Sequence, residues 1–128
     1  KSRLSKRIFG AESLFDNSVK MRDVGKGQVR DSDDVTRTAT ITTDLGDGQW
    51  YHILATYDRG GFIQPYLDGV PAGSATTMVD GNLDSTGPLM IGINEGVTFN
   101  QGLRGEVDDF AIWDRLLTPE EIKVLVNP

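Results

Sequence analysis

Apolar and polar residues alternate with a period of two through the middle of the chain, the mark of strands with one buried face. Trp50–Tyr57 predicts such a strand. Tyr51, Ile53, Ala55 and Tyr57 fall on one face, and Trp50, His52, Leu54 and Thr56 on the other. Asp58-Arg59-Gly60-Gly61 predicts a hairpin onto a second strand, Phe62–Leu67. Asp68-Gly69 is a type I′ turn signal leading into a third, Val70–Thr77. Pro65 lies inside the second strand and donates no ladder hydrogen bond, so it is expected at an open edge or a bulge. Upstream, residues 13–22 read as one or two short strands, and Gln28–Arg30 as another. Thr36–Thr43 alternates weakly and predicts a strand with one wet face. Downstream, Pro88–Asn94 and Leu103–Asp114 predict two more. In the last, apolar residues move from odd to even positions at Asp108-Asp109, where a β-bulge would restore the register.

The period changes only at the C-terminus. Thr118-Pro119-Glu120-Glu121 matches a capping box, with Thr at the N-cap, Pro at N1 and Glu at N3. Ile122, Leu125 and Val126 follow as an apolar stripe with helical spacing. A helix of about two turns is marginal alone, so it must dock on the strands.

Composition sharpens this picture. Val, Ile and Thr supply 29 of 128 residues and Ala only 6, and 15 glycines punctuate the strands. That balance predicts an all-β antiparallel sandwich or barrel with one short C-terminal helix, as a single domain over residues 1–128. The net charge of −6 argues against nucleic acid as a partner. Charge is uneven, with +5 over residues 1–30 and −11 over the rest. The excess of basic residues reads as an edge strand or tail beside an acidic body, or as the anion-binding arm Lys1-Ser2-Arg3-Leu4-Ser5-Lys6-Arg7. No apolar run reaches the ~18 residues of a membrane span, so no membrane insertion is expected. With no cysteine and one histidine, disulfides, thiolate zinc sites and a Cys nucleophile are excluded. His52 has no Ser or Cys partner in a supporting context and reads as a packing residue. Sugar binding wants an exposed aromatic ring with polar groups around it, and Trp50 and Trp113 are the candidates.

Four segments resemble a known superfamily. Gln49-Trp50-Tyr51-His52-Ile53-Leu54-Ala55-Thr56-Tyr57-Asp58 is similar to the "W-x-H-hydrophobic" strand of the laminin G-like, concanavalin A-like lectin/glucanase jelly rolls. Tyr66-Leu67-Asp68-Gly69 resembles their "L-Y-V-D-G" hairpin, and Leu89-Met90-Ile91-Gly92 their "L-x-I-G" strand. Gly105 to Ile122 resembles their ending, "G-x-I-D-(D/E)-V-x-I-(Y/W)-(N/D)-R-x-L-(S/T)-x-x-E-I". The resemblance covers about residues 49–125.

It implies a jelly-roll sandwich acting as a non-catalytic recognition module, carbohydrate-binding, within a larger secreted or cell-surface protein. The alternatives are a protein-assembly module without glycan binding and a degenerate glycoside hydrolase. It also implies structural calcium, with Asp108 at the family's acidic position and Asp109 as the alternative ligand. Asp31, Asp33 and Asp34 look like part of a calcium loop, but the required Gly and Glu are absent, which excludes an EF-hand. Related laminarinase-type enzymes use E-x-D-x-x-E. Here Glu106 and Asp108 supply the first two carboxylates and Ala111 stands at the third, so the acid/base is missing. Pro65 departs from the family, and the chain is short beside its full-length members, so it is expected to be either a fragment lacking N-terminal strands or a reduced sandwich. Bare edges left by missing strands would favour self-association or pairing with a missing N-terminal segment.

Overall fold

The computed structural model describes residues 19–22, 26–43, 45, 49–73, 75–84 and 106–128. Two antiparallel sheets form among them. The first orders β1 (Val19–Arg22), β2 (Lys26–Arg30) and β3 (Thr36–Thr40) as a meander. The second centres on β5 (Phe62–Leu67), flanked on one side by β4 (Ile53–Tyr57). Its other side pairs with two short pieces, β6 (Val70–Pro71) and β7 (Thr76–Thr77). β3 lies over β5 and β7, and β2 over β5, which makes the two layers of a sandwich.

Alternation in β4 and β5 divides their side chains between two cores. Ile53, Ile63 and Leu67 point between the sheets. There Ile53 joins Ile41 and Leu45, and Ile63 joins Val29, Ala39, Met78 and Val79. Leu54 and Tyr66 point outward and are covered by α1 (Pro119–Val126), whose Ile122 is fully buried against them. The β4–β5 pair is therefore buried on both faces around Leu54 and Tyr66, while Phe62 at its far end is exposed. The helix forms as its capping box predicts. Thr118 Oγ1 accepts from the Glu121 N–H at 3.2 Å, and Glu121 Oε2 accepts from the Thr118 N–H at 2.9 Å.

The turns also follow their residues. Asp68 and Gly69 take φ of +49° and +83°, as a type I′ turn requires. At Gly69 a Cβ would stand 3.1 Å from Val126 Cγ2, so the glycine also lets the helix approach the hairpin.

Three predicted strands are corrected. β4 begins at Ile53 rather than Trp50, because the backbone of His52 is bound to Asp68: its N–H donates to Asp68 Oδ1 at 2.9 Å, and its carbonyl accepts from the Asp68 N–H at 2.8 Å. The strand expected over Val70–Thr77 is broken into β6 and β7. Gly73 has φ +69°, and a Cβ there would fall 1.7 Å from the Thr40 carbonyl oxygen, so the chain leaves the ladder where it crosses β3. Four positions separate Pro71 from Thr76, where two separate Tyr66 from Ile63. Pro65 faces this insertion. Its carbonyl accepts from the Ala72 N–H, and its nitrogen, on the same side, lies where the ladder is interrupted. The proline is thus in a central strand but opposite a bulge.

The third correction concerns Leu103–Asp114, whose described part, residues 106–114, holds a single bridge at Glu106 and no strand. Asp109 takes φ +53°, a left-handed turn at the position where the apolar parity switches. After it, Phe110 packs against the Ile41–Leu45–Ile53 cluster and Trp113 against the core under the helix. The strand predicted at Pro88–Asn94 and the basic segment Lys1 to Arg7 lie outside the described residues.

Candidate functional site

Two surfaces carry the aromatic candidates. The first is the approach to β4. Trp50 is 41% exposed, two residues before the pair of bonds that join the His52 backbone to the side chain and the backbone of Asp68. That clasp fixes the main chain at His52, two residues along from the indole. His52 itself is fully buried, so it is no solvent-facing base.

The second is a cleft of about 390 Å³ beside α1. Its walls are apolar, formed by Trp113, Leu117, Val124 and Leu125. Arg115, Glu120 and Glu121 supply its charges. Arg115 holds Glu121 by a two-pronged ion pair, with Nη1 donating to Oε2 at 2.9 Å and Nη2 to Oε1 at 2.8 Å. The hydrogen bonds from Arg115, and then that from the Thr118 N–H, lower the Glu121 pKa to about 2. The same pairing raises that of Arg115. Trp113 is half-buried, so the two tryptophans named from sequence sit in different settings, one on an open surface and one in a cleft.

The acidic candidates form no comparable site. Asp108 and Asp109 are both exposed, and Asp108 Oδ1 accepts from the Asp109 N–H at 2.8 Å. Calcium takes six to eight oxygen ligands. Among the described residues no three His, Cys, Asp or Glu side chains gather at a spacing that would hold a metal.

A cross-link between loops had no sequence signal. Asp31 is 7% exposed, and its Oδ1 accepts from the N–H groups of Asp33 (3.0 Å) and Val35 (2.9 Å). Its Oδ2 accepts from the Gly81 N–H at 3.1 Å. Arg59 holds the same stretch from the other side, donating to the carbonyls of Val79, Asp80 and Gly81. The β2–β3 turn and residues 79–82 are thereby joined at one end of the sandwich. The cleft residues Glu120 and Val124 were also missed, because their spacing reads only as the exposed side of a short helix.

An antiparallel sandwich with a helix docked on one sheet has the build of a β-sandwich module. The family can be stated. Residues 6–123 match a laminin-G-type profile of the concanavalin A-like lectin/glucanases superfamily, and the chain belongs to it. It is similar to neuronal pentraxin-2 of Cavia porcellus, 32% identical over 98 residues, which is 71% of this chain and 23% of that protein. Neuronal pentraxin-1 of Homo sapiens is 32% identical over 93 residues, 67% of this chain and 22% of that protein. The sushi, von Willebrand factor type A, EGF and pentraxin domain-containing protein 1 of Rattus norvegicus is 30% identical over 95 residues, 69% of this chain and 3% of that protein. The chain thus spans under a quarter of the length of the curated relatives it matches. No helix among the described residues is long and apolar enough to cross a membrane.

Proposed function

We propose that this chain is a non-catalytic recognition module of a secreted or cell-surface protein, and that its ligand is a glycan. The observation that carries the reading is Trp50, a large indole 41% exposed, two residues before the His52–Asp68 clasp. An exposed indole offers a flat apolar face to the C–H side of a sugar ring. Membership in a superfamily named for lectins and glucanases supports the sugar class. The non-catalytic half of the reading is supported by Ala111, which leaves a retaining glycosidase without its acid/base. The pentraxin relatives support an extracellular setting.

Titration of the chain against an oligosaccharide panel tests this. A binder is expected whose affinity falls about ten-fold in Trp50→Ala, with the thermal transition of the variant close to that of the parent. No sugar retained at millimolar concentration, or equal binding by the variant, refutes it. A second reading, a protein-assembly module, is favoured by three exposed aliphatic residues near the C-terminus, Ile112 (55%), Leu116 (48%) and Val124 (59%). Sedimentation across a hundred-fold range of concentration distinguishes self-assembly from a monomeric binder.

A further inference from the structure

We infer that the cleft beside α1 is a second binding site, separate from Trp50, that takes a lysine or arginine side chain of a peptide together with a neighbouring apolar residue. The lining has two parts that suit the two parts of such a ligand. Trp113, Leu117, Val124 and Leu125 form the wall, which matches an apolar side chain and the methylene stem of a basic one. The charge at the mouth is negative. Arg115 is balanced by its two-pronged bond to Glu121, and Glu120 is left with no ion pair among the described residues. Outside the lining, Asp114 lies close enough to Arg115 to act on its charge and Lys123 of the same helix offsets it, so Glu120 sets the sign at the mouth. The volume of about 390 Å³ lies at the small end of ligand clefts. It fits one or two side chains and is too small for the face of a folded partner.

The charge sign sets the peptide apart from the alternatives. An acidic peptide meets Glu120 with its own carboxylate. A neutral sugar finds few polar groups on the wall, since the charged pair Arg115–Glu121 is already satisfied internally. Indole in the wall adds favourable contact for a cation, because a ring face attracts positive charge.

The test uses the whole chain carrying Trp50→Phe, so that Trp113 is the one remaining indole. The probe is an acetylated six-residue peptide of alternating leucine and lysine, titrated while Trp113 fluorescence is followed. Its counterpart with glutamate in place of lysine, and a neutral oligosaccharide, are run beside it. Saturable binding of the lysine peptide alone is expected, weakened about three-fold by Glu120→Gln, the scale of one exposed ion pair. Val124→Lys is expected to abolish it. A lysine four residues after Glu120 pairs with that carboxylate along the helix and fills the cleft, and it is a better helix former than valine. The ellipticity of that variant therefore stays at or above the parent value, which separates blocked binding from unfolding. Equal binding of the glutamate peptide, no binding of either peptide, a Trp113 response to the sugar alone, or retention of affinity in Val124→Lys overturns the inference. The glycan reading is decided separately, at Trp50.

Discussion

Asp31→Ala tests the cross-link that holds the β2–β3 turn to residues 79–82. The substitution removes a carboxylate that accepts three backbone N–H groups at 2.9–3.1 Å and is 7% exposed. A hydrogen bond to a charged group contributes about 1.5–3 kcal/mol, and three sharing one side chain do not add in full. The N–H groups of Asp33 and Val35 regain water more easily than that of Gly81, which is half-buried. A loss of about 3–4 kcal/mol is expected, a large part of the stability of a single domain. For 128 residues that corresponds to a fall in Tm of about 10–15 °C. Asp33→Ala is the control. Asp33 is exposed, and its loss is expected to change stability by no more than about 0.5 kcal/mol. Asp31→Asn should fall between them, since an amide keeps one acceptor but turns a donor toward another N–H. Guanidinium melts of the four proteins give the comparison. If Asp31→Ala loses under about 1 kcal/mol, or matches Asp33→Ala, the carboxylate does not hold the loops and the reasoning fails.

Gly73→Ala should prevent folding or lower stability by more than about 3 kcal/mol, since the new Cβ would meet the Thr40 carbonyl at a positive φ; circular dichroism after refolding reads the result. The Glu121 carboxyl, at about 2 in the folded chain against 4.5 ordinarily, binds its proton more weakly folded than unfolded. Its contribution is therefore whole above about pH 4.5 and is lost as the pH falls toward 2, and a Tm-against-pH curve for Glu121→Gln should be flatter than the parent's across that window. Thermal unfolding in calcium and in EDTA should give the same Tm if the donors at Asp108 and Asp109 are the whole of any site; a rise with calcium that Asp108→Asn removes would show that further oxygens join them.

The elements legible in the sequence are those whose cause is local. The capping box at Thr118 to Glu121 and the Asp68-Gly69 turn each depend on a few adjacent residues, and both formed as read. The bulge opposite Pro65 was legible in kind, because a missing N–H must face a gap wherever it lies. The break at Gly73 was not, since it follows from contact with Thr40, a residue of the other sheet. The role of Asp31 was hidden for the same reason: one of its three donors lies fifty residues away, at Gly81. At Asp108-Asp109 the change of parity reads as a bulge within a strand, whereas the described residues hold no strand there but a left-handed backbone at Asp109. Two adjacent carboxylates on an exposed turn carry no information about what else would surround a metal. Likewise, a period of two put Trp50 on the face of His52 and Leu54, both buried, and could show neither that Trp50 is exposed nor that Trp113 lines a cleft, which depends on where α1 docks.

That docking sets an order of events during synthesis. The outer face of the β4–β5 hairpin, with Leu54 and Tyr66, is covered by a helix that begins at residue 119. Translation at roughly 5–20 residues per second leaves about 3–10 s between completion of the hairpin and arrival of its cover. Throughout that interval the ribosome carries a paired sheet with a greasy back, the kind of surface that holdase chaperones bind. Slow codons placed between the hairpin and the helix would lengthen the exposure, and a stop codon there would make it permanent.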